Sequence, residues 1–240
     1  MGEPSQGAGG LSTFMNTPLV WLIRHGTSQA NAGKATDDPQ SIELTDLGRE
    51  QARHIAEHFS NKMPRDAAKT IIVSPYVRTL YTAQPLIDQL RQSHQSVDVQ
   101  VWPIQEFTYL SPARCRGTTA AQRQGWAQEY WQRADPDWDD GDGAETYRHL
   151  MQRVNDFSAR LVSQVASASG QILVFGHGMF FKAFVLGLEY GTMATPEAMR
   201  RYRQLESADP IHNAQTLRIA LDAQRKWHVL SDAGDEAGDA

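Results

Sequence analysis

A chain of 240 residues is long enough for one well-filled core, and a hydrophobic fraction of 40% with 21% charged residues is ordinary for a globular protein. With 23 basic against 28 acidic residues the net charge is -5, which leaves no footprint for sequence-independent nucleic-acid binding. No apolar run approaches the roughly 18 residues a membrane span requires, and Cys115, the single cysteine, excludes an intramolecular disulfide and predicts a reducing, cytoplasmic setting.

Residues 1–17 are rich in Gly, Ser, Pro and Thr and lack the basic start and apolar centre of a secretory signal, which predicts a disordered N-terminal arm. One domain is expected over 18–230. The apolar run Leu19–Ile23 reads as a buried strand, and it closes in Arg24-His25-Gly26-Thr27-Ser28, an ending that packing alone does not explain. Asp46–Phe59 has helical spacing, with Thr45 as its cap and Leu47, Ile55 and Phe59 as its buried stripe. Inside it, His54-Ile55-Ala56-Glu57-His58 reproduces the H-x-x-E-H pattern of inverted zinc peptidases. Both histidines are expected to flank the stripe toward solvent with no third ligand paired to them, so no metal is expected.

A second strand, Thr70–Val73, runs into Ser74-Pro75-Tyr76-Val77-Arg78-Thr79. There Ser74-Pro75 is expected to start a helix that carries Arg78 in its first turn, close to free backbone donors. Val97–Trp102 predicts a third strand, with Glu106 soon after it. Residues 107–143 differ in character, with three tryptophans, proline breaks and an acidic loop, and are expected to form an inserted cap segment over the sheet's edge. Its aromatic residues Tyr109, Trp126, Tyr130, Trp131 and Trp138 read as that segment's own small core rather than a stacking platform, and Arg114 and Arg116 are candidates for meeting a second anionic group. Thr146–Ala166 places Tyr147, Leu150, Met151, Val154, Phe157, Leu161 and Val165 on one helical face. A fourth strand, Gln171–Phe175, ends in Gly176-His177-Gly178 ahead of the apolar helix Met179–Leu188. Thr216–Leu221 and Lys226–Leu230 flank a four-residue turn and predict a terminal hairpin, and Ser231–Ala240 predicts a disordered acidic tail.

Strands alternating with helices imply an α/β fold of three layers, α/β/α, whose mostly parallel sheet becomes mixed at the hairpin. Ligands of such sheets sit beyond the carboxyl ends of the strands. Three strand ends here carry Arg24 and His25, Arg78, and His177. A neutral imidazole can attack phosphorus, a guanidinium holds phosphate oxygens in a planar fork, and a glycine lets backbone approach an anion. Each segment alone is a weak signal, but their joint occurrence after three strands points to one phosphate site.

Those segments, with Asn31, Leu44-Thr45-Asp46-Leu47-Gly48-Arg49-Glu50-Gln51-Ala52, Thr82-Ala83, Glu106 and Gly143-Ala144-Glu145-Thr146, resemble the histidine phosphatase superfamily, also called phosphoglycerate mutase-like, from about Val20 to the hairpin. The resemblance implies a phosphomonoester hydrolase in which His25 is the nucleophile that becomes phosphorylated. Arg24, Arg78 and His177 would clamp the phosphoryl group, and Glu106 would protonate the leaving group and later activate water. Gly26, Thr27, Asn31 and Gly178 would join the phosphate- or substrate-binding set, while Glu145, the alternative carboxylate, would anchor the helix start and the pocket wall by hydrogen bonds. Positioning and charge stabilisation of this kind need neither metal nor cofactor, and the implied partner is a small-molecule phosphomonoester or another phosphorylated substrate. His25 must attack as a neutral ring, whereas His177 is more useful as a charged donor.

Two alternatives stand beside hydrolysis. Phosphoglycerate mutase-type transfer is disfavoured because Glu106 is followed by Phe107-Thr108-Tyr109-Leu110-Ser111-Pro112 rather than a Tyr-Gly-x-Leu-x-Gly continuation, and because a Trp-Asn after the first motif is absent. A non-catalytic module that binds phosphorylated ligands is disfavoured because all five central residues are present.

Overall fold

Side chains that alternate along four short strands sort the core into two layers. In the computed structural model, which describes residues 18–64, 67, 69–168 and 170–230, these strands belong to one six-stranded sheet. The expected arm, 1–17, and tail, 231–240, lie outside the described residues. The strands are β1 (Val20–Arg24), β2 (Lys69–Val73), β3 (Val97–Val101), β4 (Gln171–Gly176), β5 (Thr216–Leu221) and β6 (Trp227–Leu230), in the spatial order β3-β2-β4-β1-β5-β6. The first four run parallel, while β5 pairs antiparallel with β1 and β6 antiparallel with β5, so the sheet is mixed as the hairpin implied. Val20, Leu22, Ile172 and Val174 enter one core layer, and Ile23, Ile71, Leu173 and Phe175 enter the other. Burial on both faces is why these strands read as nearly continuous apolar runs.

The helices are α1 (Asp46–Lys62), α2 (Val77–Gln92), α3 (Pro112–Cys115), α4 (Gln124–Arg133), α5 (Tyr147–Ser167), α6 (Gly178–Tyr190) and α7 (Pro196–Ala208). α1 and α2 cover one face of the sheet through Ile55, Phe59, Leu86 and Leu90, and α5 and α6 cover the other through Val154, Phe157, Phe180 and Phe184. Among the described residues no helix is long and apolar enough to cross a membrane.

Three local expectations are corrected, and one helix was not foreseen. Leu47 is 55% exposed, because the stripe of α1 runs through Gly48, Ala52, Ile55, Ala56 and Phe59 and Leu47 falls one position off it. α2 begins at Val77 with Tyr76 at the cap position rather than at Ser74-Pro75, since the Ser74 N–H still bonds to Phe175 O (3.0 Å) as a continuation of the sheet. Tyr130 and Trp131 do not form a separate small core. They are buried in the same cluster as Phe107, Tyr147 and Tyr202, with the Trp131 ring 6.1 Å from Phe107 and 5.9 Å from Tyr202, while Trp126 is only half-buried beneath the Arg114 guanidinium (4.2 Å). Finally, α7 was not expected, although Thr195 caps it by accepting the Ala198 N–H (3.2 Å), Pro196 opens it, and Met199 and Tyr202 are its buried side.

Candidate active site

The loop leaving β1 is seated on the first turn of α1 by two facing glycines. A Cβ on Gly26 would stand 2.5 Å from Gly48 O, and one on Gly48 would stand 2.1 Å from Thr27 O, so neither position admits a side chain. Around that contact the loop is tied at every turn. Gly26 N–H donates to Thr82 Oγ1 (3.0 Å), Thr27 N–H to Gln51 Oε1 (2.8 Å) and Ser28 N–H to Asn31 Oδ1 (3.1 Å), while Asn213 Nδ2 donates to His25 O (3.1 Å) and Asn31 Oδ1 (3.1 Å). Thr27 Oγ1 also donates to Gln51 Oε1 (3.1 Å), so the side chains of Thr27 and Asn31, read from the sequence as phosphate or substrate contacts, are engaged in shaping the loop.

This scaffold fixes the protonation of His25 by its partners. Nδ1 lies 2.7 Å from Gly26 O, which can only accept, so the hydrogen sits on Nδ1. Arg78 Nε–H, which can only donate, points at Nε2 (3.1 Å), so Nε2 presents a lone pair. The ring is 2% exposed, and burial, followed by the positive charges of Arg78 and Arg24, holds its pKa well below the ordinary imidazole value against the smaller opposing pull of the Gly26 carbonyl. Arg78, in the first turn of α2 as expected, also donates through Nη1 to Pro39 O (2.7 Å) and lies over the Tyr76 ring (4.8 Å). Burial lowers its pKa to about 10, partly offset by the Glu106 charge, which leaves it cationic at neutral pH.

Arg24 and His177 complete the group. Arg24 Nη1 donates to Ile211 O, and a Cβ on Gly178 would come within 3.1 Å of Arg24 Nε, so the glycine makes room for the guanidinium. The His177 ring is 5.2 Å from that of His25, and its Nε2 lies 2.8 Å from Ser74 Oγ. Arg24 Nε and His177 Nδ1 are buried polar atoms with no hydrogen-bond partner among the described residues. His177 was expected to be a charged donor. Complete burial, then the charges of Arg78 and Arg24, instead push its pKa well below the ordinary value, so the protein's own groups hold the ring neutral.

Glu106 reaches the same place from the loop after β3. Its carboxylate accepts N–H bonds from Phe107 (3.0 Å), Phe180 (3.3 Å) and Met179 (3.4 Å), the last two from the opening turn of α6. The loop is held from behind by Arg153, whose Nη1 donates to Pro103 O (3.2 Å) and Gln105 O (3.0 Å) while its Nε and Nη2 pair with both oxygens of Glu145 (2.6 Å each). Arg153 belongs to the opening half of α5, so through this pair Glu145 ties that half of the helix to the pocket wall, while Thr146 caps the helix by accepting the His149 N–H (3.2 Å).

Above Arg78 and Glu106 opens a cavity of about 300 Å³ whose walls come from the 36–42 loop, the 107–127 segment and Met179. The arginines anticipated for a second anionic group do not line it: Arg114 pairs with Asp140 (3.1 Å) and Arg116 is exposed. Arg123 lines it instead, with Nη1 3.5 Å from Thr36 Oγ1. His54 and His58 are on the exposed side of α1, and among the described residues no cluster of three or more His, Cys, Asp or Glu groups is arranged to hold a metal. Sequence reasoning missed Ser74, Thr82, Arg153 and Asn213 as members of the site. Ser74 was in view but taken for a helix start, and Asn213 lies in an irregular stretch with no periodicity to mark it.

A family model described as histidine phosphatase superfamily (branch 1) matches residues 20–227. Among solved structures, an α-ribazole phosphatase from Shigella flexneri superposes with a TM-score of 0.65 at 22% identity, covering 88% of this chain and 94% of that one. A mycobacterial glucosyl-3-phosphoglycerate phosphatase solved with VO3 gives 0.65 at 21% identity, covering 90% and 100%. A phosphoserine phosphatase from Entamoeba histolytica, in complex with 3-phosphoglyceric acid, gives 0.61 at 19% identity, covering 89% and 95%.

Proposed function

The chain belongs to the histidine phosphatase superfamily, branch 1, and from that membership we propose that it hydrolyses phosphomonoesters of small molecules through a phosphohistidine on His25. The observation that carries this reading is the lone pair of His25 Nε2, fixed by Gly26 O on one side of the ring and Arg78 Nε on the other, together with two buried polar atoms, Arg24 Nε and His177 Nδ1, that have no hydrogen-bond partner among the described residues. Attack of Nε2 on phosphorus forms the N–P bond as the ester P–O bond breaks. The three equatorial oxygens then take donors from Arg24, Arg78 and His177, and donors already in place stabilise the developing charge without reorganisation. The bound dianion raises the affinity of His177 for a proton, so the ring that is neutral among cations becomes a donor when the charge arrives.

Glu106, which holds a proton once the phosphate dianion is bound beside it, donates that proton to the leaving alkoxide. It then takes one from the water that attacks the phosphohistidine, which returns His25 to its starting form and releases inorganic phosphate. The phosphatase names of the structural neighbours support transfer to water. On this reading 18–230 works as one domain with 107–143 as its cap, the chemistry uses no metal or cofactor, and the single cysteine supports a reducing, cytoplasmic setting.

The test is hydrolysis of p-nitrophenyl phosphate in the presence of a chelator, with the intermediate trapped by rapid quench. Wild type is expected to turn over and to hold label in a bond stable to alkali and labile to acid, and His25→Ala is expected to do neither. Turnover that survives His25→Ala, or a folded wild type silent across roughly pH 5–8 where histidine changes charge, would overturn the reading.

A further inference from the structure

The cavity above the clamp carries a second message, about what leaves the phosphorus. Arg78 and Glu106 form its floor, whereas His25 and His177 are buried beneath. A leaving oxygen protonated by Glu106 therefore carries its substituent up into this space. The walls there are mostly carbon, supplied by Ile42, Phe107, Leu110, Pro112, Ala127 and Met179. Beyond the floor the only charged side chains lining the cavity, among the described residues, are Asp37 and Arg123. One is negative and one positive, so the upper cavity has no net charge to offer a second phosphate or a carboxylate.

Resting on the reading of this site as a phosphomonoesterase, we propose that its natural substrates are phosphomonoesters of apolar, ring-bearing alcohols rather than of sugars, nucleotides or phosphoglycerate. Two physical terms favour this class. Ring surface removed from water against aliphatic and aromatic walls is stabilising in proportion to its area. The hydroxyls of Thr36, Tyr76, Thr108 and Tyr109 also line the cavity, but Tyr76 and Thr108 already face each other (3.4 Å) and Thr36 faces Arg123 (3.5 Å), so sugar hydroxyls pressed on the carbon walls would lose water for few new partners. A volume of about 300 Å³ also falls at the small end of ligand pockets, suited to one or two rings.

The experiment uses the full chain and compares alcohols of similar acidity, so that leaving-group chemistry does not decide the result. kcat/KM for benzyl phosphate and 2-naphthylmethyl phosphate is expected to exceed that for glucose 6-phosphate and 3-phosphoglycerate by at least about tenfold, which corresponds to about 1.4 kcal/mol. Calorimetric binding of 2-naphthylmethylphosphonate, which cannot be hydrolysed at its P–C bond, is expected to be at least about tenfold tighter than that of methylphosphonate. Ala127→Glu, which adds a carboxylate to the wall at a helical site, is expected to erase that difference while inorganic phosphate still competes as in wild type. Hydrolysis without the ring preference would overturn the substrate class and leave the phosphatase reading standing. The phosphonate preference without any hydrolysis would do the reverse, and equal binding of both phosphonates would overturn the subsite whatever the turnover.

Discussion

Among the described residues the Nε–H of Arg78 is the hydrogen-bond partner of His25 Nε2, and its place there is structural as well as electrostatic. Arg78→Ala is expected to lose about 2–4 kcal/mol of transition-state stabilisation in kcat/KM, by analogy with deletion of one oxyanion donor. Arg78→Lys should recover little of it, since an ammonium supplies charge but not the planar fork or the Nε–H. Turnover of p-nitrophenyl phosphate, with the urea midpoint as a control for folding, measures both variants, and an unaltered rate in Arg78→Ala would remove it from the clamp. His25 and His177 give a second prediction at this scale. Burial, reinforced by the neighbouring arginines, holds both rings neutral, so their ring-proton resonances are expected to stay at neutral-imidazole positions as the pH is lowered through about 6.5, where an exposed imidazole titrates. Midpoints at about 6.5 for both rings would contradict the electrostatic account. Inorganic phosphate should move the His177 midpoint upward, because an anion between the rings reverses the sign of the local charge.

At the scale of elements, what was legible in the sequence follows from how local each signal is. Thr45 as the cap of α1 and the buried face of α5 stand where expected because capping chemistry and a 3.6-residue stripe are written within a few residues. The start of α2 was misplaced because Ser74 is used elsewhere: its hydroxyl meets His177, 103 residues away. α7 was overlooked although its Thr-Pro opening is a local signal. The contact of α6 with Arg24 yields a prediction. Gly178→Ala would bring a methyl group within 3.1 Å of Arg24 Nε, so it is expected to lower kcat/KM by shifting the guanidinium while changing the unfolding midpoint little. Unchanged kcat/KM in this variant would mean that Arg24 yields without consequence. The loop after β3 yields another. Glu145→Gln weakens the grip of Arg153 on the carbonyls of Pro103 and Gln105 that orient Glu106. It should therefore slow esters with poor alkyl leaving groups more than aryl esters, because only the former need the proton. Equal slowing of both classes would reduce Glu145 to a structural role.

For the whole molecule, the two buried histidines set the pH dependence of stability. The unfolded chain protonates them near 6.5 and the folded chain only well below, so between those values the unfolded state binds more protons and stability falls as the pH falls. The slope is about 1.4 kcal/mol per pH unit for each ring, and urea unfolding at pH 7 and 5.5 is expected to show the loss, with His177→Asn reducing it. Equal stability at the two pH values would count against neutral burial. The order of strands was the least legible feature, since the pairing of β1 with β4 joins residues some 150 apart, of the order of the loop lengths that make such contacts costly to close, and leaves no local trace. That order has a consequence for how the protein comes into being. β1 finds its two neighbours in β4 and β5, and β4 begins only at Gln171. At ribosomal speeds of about 5–20 residues per second, the strand that bears His25 waits roughly 7–30 s for its first partner, exposed all the while as an apolar segment that a chaperone could shelter or a neighbouring nascent chain could capture. The strand that leads into His25 is thus the first of the sheet to be made, and both of its neighbours are made long after it.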